Sequence, residues 1–437
     1  MPLLAAFVRA CRRERGRPDD RRIGQLSVNI LYLVPYAPNR IRTRPYNLVR
    51  QLSARGHQVS LLTTWTSEAE RADIDAMRGE CHRVVAVPLP RGRSAWNCLL
   101  ALPTQEPLQS VYCWHPALAA KMWGLVHDGG VRSALDVVHI EHLRGAKYGR
   151  VLRAKMRGAG SRLPLVWDSV DCISLLFRHT AAQSASRRSR AIARLECSRT
   201  EAYERRAVQE FDKVLVTSQV DGDALEALGG KSVGDGRVRV LPNGVDLEYF
   251  CVDAHSARSQ TALVMTGKMS YHANVSMVLH FATAIWPLIR ASLPEAQLWI
   301  VGKDPSKEVR RLAGDPAIRV TGTVPDLRPF LQAAAVAVAP LAYGVGIQNK
   351  ILEAMACATP VVTTSQGLSA LGAVPDRDLV MADEPAAFAA AVIGLLRAPD
   401  RRAEVGLSGR RYVEANHAWP SIAAQLEEVY HAAIRAG

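Results

Sequence analysis

The stretch PLAYGVGIQNKILEAMACATPVV, Pro340 to Val362, decides how the rest of this sequence is read. A short apolar run ends at Pro340, a glycine-containing loop follows, the spacing predicts a helix over about 348–356, and Thr359-Pro360-Val361-Val362 opens another apolar run. Strand, glycine loop, helix and strand make the repeating unit of a parallel sheet covered by helices. Gly344 and Gly346 let the backbone approach a ligand closely, and the helix start behind them, at Ile347, Gln348 and Asn349, offers N–H groups and a positive dipole end to a phosphate. Lys350 and Glu353, three residues apart, share a helix face and present one cation and one anion to the same ligand. Glu353 sits in the apolar run ILEAMA and is costly to bury without a partner. A ribose diol, donating two hydroxyls to one carboxylate, is such a partner. The plain alternative is a solvated helix glutamate after a turn made by two glycines, and the surrounding strand order weighs against it.

The same alternation extends upstream. Strands are predicted at TALVMTG (261–267), AQLWIVG (296–302), IRVTGT (318–323), AVAVAP (335–340) and TPVVTTS (359–365). Gly267-Lys268 leaves the first of these, and Gly322 and Val324 leave the third, all on the side expected to face a ligand. Further upstream, SVNILYLVPY (27–36), HQVSLLTT (57–64), DVVHIE (136–141), PLVWDSV (164–170), DKVLVTS (212–218) and VRVLPNGVD (238–246) repeat the pattern. A helix starting at Pro45 and another over about 190–210 lie between them. The chain therefore divides into a basic leader at 1–26, a first Rossmann-like domain at 27–245 and a linker at 246–260. A second Rossmann-like domain follows at 261–415, and 416–437 form a helix that crosses back to the first.

Composition narrows the partners. At 437 residues, with 48% hydrophobic and 22% charged residues, the chain is a folded enzyme-sized body rather than a disordered or fibrous one. The net charge of +14 attracts phosphates, nucleic acid and anionic membranes alike. No interleaving of basic and aromatic residues supports nucleic acid, which is excluded as a partner. Eight cysteines are scattered without a CxxC pair, as expected of reduced thiols in a cytoplasmic protein. The apolar stretch from Leu3 to Val8 is too short for a signal peptide, and no other stretch approaches the ~20 apolar residues of a membrane span. A membrane is met only from the side, at its inner face. The Arg-rich stretch from Arg178 to Arg206 reads as a solvated helix face or as a surface resting on anionic lipid.

On the residues quoted, the chain resembles the retaining GT-B glycosyltransferases of family four, over roughly residues 28–430. The resemblance implies a GT-B fold, α/β, with two Rossmann-like domains whose parallel sheets face a central cleft. Members carry two glutamates separated by seven residues, the second followed by an Ala-Met-Ala-like run and Gly-x-Pro-Val-Val. Glu353-Ala354-Met355-Ala356 with Thr359-Pro360-Val361-Val362 matches the second half, while the place of the first glutamate falls on Val345. The sequence instead follows a G-x-G-I-x-N-K-x-L-E pattern, and the sugar contact that the first glutamate makes in the family is unassigned here. Leu241-Pro242-Asn243-Gly244-Val245-Asp246 resembles the family's interdomain signature, and Gly267-Lys268 its cationic diphosphate loop. Where members have a second lysine this chain has Tyr271-His272-Ala273-Asn274, and Lys350 is expected to supply the missing charge.

In the first domain, members place a histidine close to the sugar at the end of a strand. His142 is the first candidate and His139 the second, with Glu141 between them. Asn39, Arg40, Arg42 and Arg44 replace the family's glycine-rich loop with a basic one suited to a phosphorylated or lipid-diphosphate acceptor, or to solvent. Asp168, in Trp167-Asp168-Ser169-Val170-Asp171, ends another strand on the acceptor side.

The resemblance implies transfer from a nucleoside-diphosphate sugar with retention at the anomeric carbon. The acceptor is a glycan, a lipid-linked precursor or a small molecule. In that scheme a donor phosphate oxygen takes the acceptor's proton. Lys268, Lys350 and the helix start stabilise the leaving diphosphate, Glu353 holds the donor, and His142 positions the acceptor. No cofactor and no protein-bound metal are required. The triplets Asp73-Ile74-Asp75, Asp221-Gly222-Asp223 and Asp376-Arg377-Asp378 read as helix and turn residues rather than metal ligands. The rivals are a nucleotide-sugar epimerase or hydrolase of the same fold, and a noncatalytic nucleotide-sugar-binding protein.

Overall fold

The computed structural model describes residues 27–127, 135–183, 187–230, 236–253, 257–342 and 346–436. The expected leader at 1–26 and the loop positions Gly344 and Val345 lie outside the described residues. The chain forms two units, one contiguous over Gly244–Ala418 and one assembled from Leu26–Asn243 and Trp419–Gly437.

In the two-segment unit the apolar runs become β1 (Asn29–Val34), β2 (Gln58–Trp65), β3 (Arg83–Pro88), β4 (Val137–Glu141), β5 (Leu165–Val170), β6 (Lys213–Val216) and β7 (Val238–Val240). They lie in the order β3-β2-β1-β4-β5-β6-β7, every pair parallel. Successive side chains of a strand point to opposite faces, and both faces are buried here. Leu31, Leu33, Val138, Ile140 and Trp167 meet one set of helices. Ile30, Tyr32 and Val34 meet Leu48 and Leu52 on helix Thr43–Ala54 and Ile422, Leu426 and Tyr430 on helix Trp419–Ala436. Continuous Val/Ile/Leu runs, rather than alternating ones, are the sequence form of such two-sided burial.

The contiguous unit repeats the plan with β8 (Ala262–Thr266), β9 (Gln297–Val301), β10 (Ile318–Gly322), β11 (Val336–Ala339), β12 (Val361–Thr363) and β13 (Val380–Met381). Their order is β10-β9-β8-β11-β12-β13, again parallel throughout. Two edge strands, β3 and β13, were not anticipated: RVVAVP is half-exposed and VM is only two residues long, so neither has the buried run that marks a central strand. One expectation is corrected. The 21 residues His272–Ser292 are long and apolar enough for a membrane span by composition, yet Met277, Phe281, Ile285 and Ile289 pack into this unit's core.

Candidate functional site

In a doubly wound sheet ligands bind at the carboxyl ends of the strands where the strand order reverses. In the contiguous unit that reversal lies between β8 and β11. The loops leaving these strands are the one carrying Gly267 and Lys268 and the one between Pro340 and helix Asn349–Ala356. The second loop turns at Gly346, whose φ of +66° is left-handed backbone that glycine adopts without a Cβ clash. The helix then buries Ile351, Leu352 and Met355 and leaves Lys350 and Glu353 half-buried. Lys350 Nζ donates to Gln348 Oε1 at 3.1 Å. Burial pushes Lys350 down to about 8 and Glu353 up to about 7, each opposed by the other's charge. The Glu353 carboxylate accepts no hydrogen bond and joins no ion pair among the described residues. It is a desolvated carboxylate beside a desolvated cation, and of the two only Lys350 already has a hydrogen-bond partner.

The opposite end of this helix is pinned. Arg258 Nη2 donates to Cys357 O at 2.5 Å and its Nη1 to Ala334 O and Thr359 Oγ1 at 3.1 and 2.9 Å. Arg410 donates to Ala356 O and to Phe250 O. Two guanidinium groups thus satisfy carbonyls that every helix leaves orphaned at its carboxyl end. The Lys268 loop is fixed in its own way. Gly267 and Gly302 leave β8 and β9 with φ of +146° and +152°. A Cβ on Gly302 would stand 1.7 Å from Gly267 O, and Asn274 Nδ2 donates to Lys268 O at 3.0 Å. Lys268 itself is exposed. Gly322 closes β10 with φ of +69°, while Val324 packs partly against the core. Gly302, Asn274, Arg258 and Arg410 were not singled out from the sequence. Only Gly302, ending a strand as Gly267 does, carried a signal there.

In the other unit the strand order reverses between β1 and β4. His142 follows β4 with φ of +64°, an uncommon backbone for a non-glycine residue. Its Nδ1 accepts the Arg144 N–H at 3.3 Å, and Trp167 Nε1 donates to its carbonyl at 3.3 Å. Burial, aided by Arg144, pushes its pKa down to about 3. The ring is therefore neutral at physiological pH, with the proton on Nε2 because Nδ1 is an acceptor.

Four residues expected on the acceptor side are engaged inside the unit's own core. Arg44, His139, Glu141 and Asp168 are all buried. Arg44 grips Asp168 with two hydrogen bonds of 2.8 and 3.1 Å and reaches Asn243 Oδ1 at 3.0 Å. His139 stacks on Tyr32 with ring centroids 4.1 Å apart and meets Tyr430 Oη through Nδ1 at 2.9 Å. Glu141 accepts from Tyr32 and Tyr36. The cause is register: Tyr32 pairs with His139 and Glu141 with Asp168 across neighbouring strands, so the polar groups close on one another inside the sheet. Asn39 is also engaged, donating to Asp73 Oδ2 at 2.8 Å and accepting from Ile41 and Arg42 N–H. Arg40 is exposed.

Residues 260–398 match the family described as glycosyl transferases group 1, and residues 41–244 match the glycosyl transferase 4-like domain. The phosphatidyl-myo-inositol mannosyltransferase of Mycolicibacterium smegmatis is 30% identical over 225 residues, 49% of this chain and 55% of that protein. The chain thus spans about half the length of that curated relative. Among solved structures, sucrose-phosphate synthase from Thermosynechococcus elongatus shares the fold at a TM-score of 0.69 and 19% identity, covering 94% of this chain and 100% of its own. Anabaena HepE, solved with UDP and glucose, does so at a TM-score of 0.64 and 15% identity, covering 93% of this chain and 100% of its own.

Proposed function

The chain belongs to the group 1 glycosyl transferases and has their GT-B fold, and from that premise we propose that it transfers a glycosyl group from a nucleoside-diphosphate sugar to an acceptor hydroxyl with retention of configuration. The observation that carries this reading is the partnerless, half-buried Glu353 carboxylate one turn from Lys350, on a helix that starts at the sheet's switch point. A ribose diol satisfies the carboxylate with two donated hydrogen bonds. The diphosphate lies against the helix's amino end, between Lys268 and Lys350. These cations and the helix dipole stabilise charge as it develops on the leaving diphosphate. His142, neutral, donates from Nε2 to an acceptor oxygen and orients it; it is not the proton acceptor, because its pKa is far below the working range. A donor phosphate oxygen takes the acceptor's proton. Arg40 serves an anionic acceptor, a role that Arg44 and Asp168 cannot share while they bind each other. The place of action is the cytoplasm.

The test is a thermal-shift screen of UDP- and GDP-sugars against the whole chain. A ligand at about 100 times its dissociation constant stabilises by roughly 2.7 kcal/mol, and Glu353→Ala is expected to abolish the shift. Indifference to every sugar nucleotide, or an unchanged shift in Glu353→Ala, refutes the assignment.

A further inference from the structure

Helix Arg91–Ala101 is built inside out. Its buried positions are Ser94, Asn97 and Ala101, and Asn97 Nδ2 donates to the carbonyls of Val111 and Trp114 at 3.0 and 2.8 Å. Its outward positions are Trp96, Leu99 and Leu100, 56%, 54% and 57% exposed, with Leu102 just beyond the last turn at 48%. A surface helix of a globular domain turns its apolar stripe to the core. Here the buried stripe is small or polar, with Asn97 hydrogen-bonded, while the stripe that would gain from leaving water faces out.

A second helix continues this surface. On helix Arg187–Glu210, Arg199 Nη2 donates to Leu102 O at 2.9 Å, and Glu196 Oε2 accepts the Leu108 N–H at 2.7 Å. One turn before Arg199, on the same stripe, stands Leu195, and Ile192 precedes it; they are 57% and 59% exposed. The two apolar stripes therefore adjoin. Charge follows them. Residues 187–199 hold five arginines and one glutamate, and that glutamate, Glu196, is buried. Arg91 and Arg93 lead the other helix, which has no acidic residue.

We propose that this two-helix face docks the protein on an anionic lipid bilayer. Trp96, Leu99, Leu100, Leu102, Ile192 and Leu195 enter the boundary between headgroups and acyl chains, and the exposed Arg187 and Arg194 beside them meet lipid phosphates. Tryptophan and leucine flanked by arginine are the side chains that settle at that depth. Pairing with a second copy is disfavoured because two positive collars would face each other. The inference goes beyond glycosyl transfer and rests on a part of the chain remote in sequence from the helix bearing Glu353.

The full-length protein is floated through a density gradient with vesicles of phosphatidylcholine mixed with phosphatidylglycerol, and with vesicles of phosphatidylcholine alone. Binding to the mixed vesicles is expected, weaker by roughly tenfold or more on phosphatidylcholine alone and diminished by added salt. Leu99→Ser with Leu100→Ser should cost about tenfold in apparent affinity, and Arg187→Gln with Arg194→Gln about 30-fold. All four side chains are exposed, so an unchanged melting temperature verifies that each variant is folded. Failure of the unaltered protein to float with mixed vesicles overturns the proposal, as does flotation indifferent to both pairs of substitutions. A dimer, or capture of an acidic protein, that depends on Leu99 and Leu100 without vesicle binding assigns the face to a protein instead. Flotation needs neither sugar nucleotide nor acceptor, so its failure leaves the reading of Glu353 standing.

Discussion

Glu353 carries opposite costs with and without a ligand. Its carboxyl titrates at about 7 in the fold against an ordinary 4.5, because burial penalises the anion. The folded chain holds that proton over a range where the unfolded chain has lost it, so stability falls as pH rises from 4.5 through 7. Glu353→Gln should therefore stabilise the ligand-free protein by about 1 kcal/mol near pH 8, a value discounted because the carboxylate is half-exposed and because Lys350 loses its anion. The gain should vanish near pH 5, where the native glutamate is protonated as well. Urea unfolding at both pH values measures it, and equal gains at both would contradict the desolvation argument. The same variant should lose the sugar-nucleotide thermal shift. Lys350→Ala should weaken sugar-nucleotide binding by about tenfold, the order of one charge-assisted contact; calorimetry that finds affinity unchanged removes Lys350 from the diphosphate site. Both residues were legible from sequence because a charged pair in an apolar helix after a glycine turn is unusual on its own terms. The burial of Arg44, His139, Glu141 and Asp168 was not, since sequence places the last three near strand ends and Arg44 in a basic loop but does not say that Glu141 and Asp168 become register partners.

At the scale of the element, helix Asn349–Ala356 is aimed from its far end. Arg258 and Arg410 hold the carbonyls of Cys357 and Ala356, so the direction in which Lys350 and Glu353 project depends on side chains more than fifty residues away in sequence. Arg410→Met leaves buried carbonyls unpaired, at about 1–3 kcal/mol. It should also weaken sugar-nucleotide binding although it touches no ligand. Chemical denaturation and calorimetry on one variant separate the two effects, and lost stability with intact affinity would make Arg410 a core residue and nothing more. Gly302→Ala tests the neighbouring loop: with its Cβ driven against Gly267 O, either the Lys268 loop shifts or β9 does, and a thermal shift like that of the native chain would deny the loop a part in binding. The elements of the sheet were readable as buried apolar runs. The edge strand β3 and the inside-out helix Arg91–Ala101 were not, because each departs from the rule that apolar residues mark the buried side.

At the scale of the molecule, the chain leaves one unit, builds the other and returns, so the two differ in what a cut does to them. Gly244–Ala418 is continuous, whereas the unit beginning at Leu26 is completed by the last segment, from Trp419. Trp419, Ile422, Leu426, Tyr430 and Ala433 fill one face of its sheet. Tyr430 closes on His139, and Glu427 binds both Arg55 (2.5 Å) and His57 (2.8 Å). Four of those five side chains are large and apolar, worth about 1.5–3 kcal/mol each when buried. Their sum is comparable to the roughly 5–15 kcal/mol that holds a whole domain folded. A chain ending at Ala418 should therefore lose the cooperative unfolding of its first unit. The loss should be repaired by a synthetic peptide spanning 419–437 added in trans, which restores the apolar face and the partners of His57 and His139. Gly244–Ala418 expressed alone should unfold cooperatively and keep the sugar-nucleotide thermal shift, because Lys268, Lys350 and Glu353 all lie within it. Calorimetry of the three preparations decides the matter: a truncated chain whose first unit still melts as the intact one does would mean that the returning helix is an ornament, and the buried contacts of Tyr430 and Glu427 argue that it is structural.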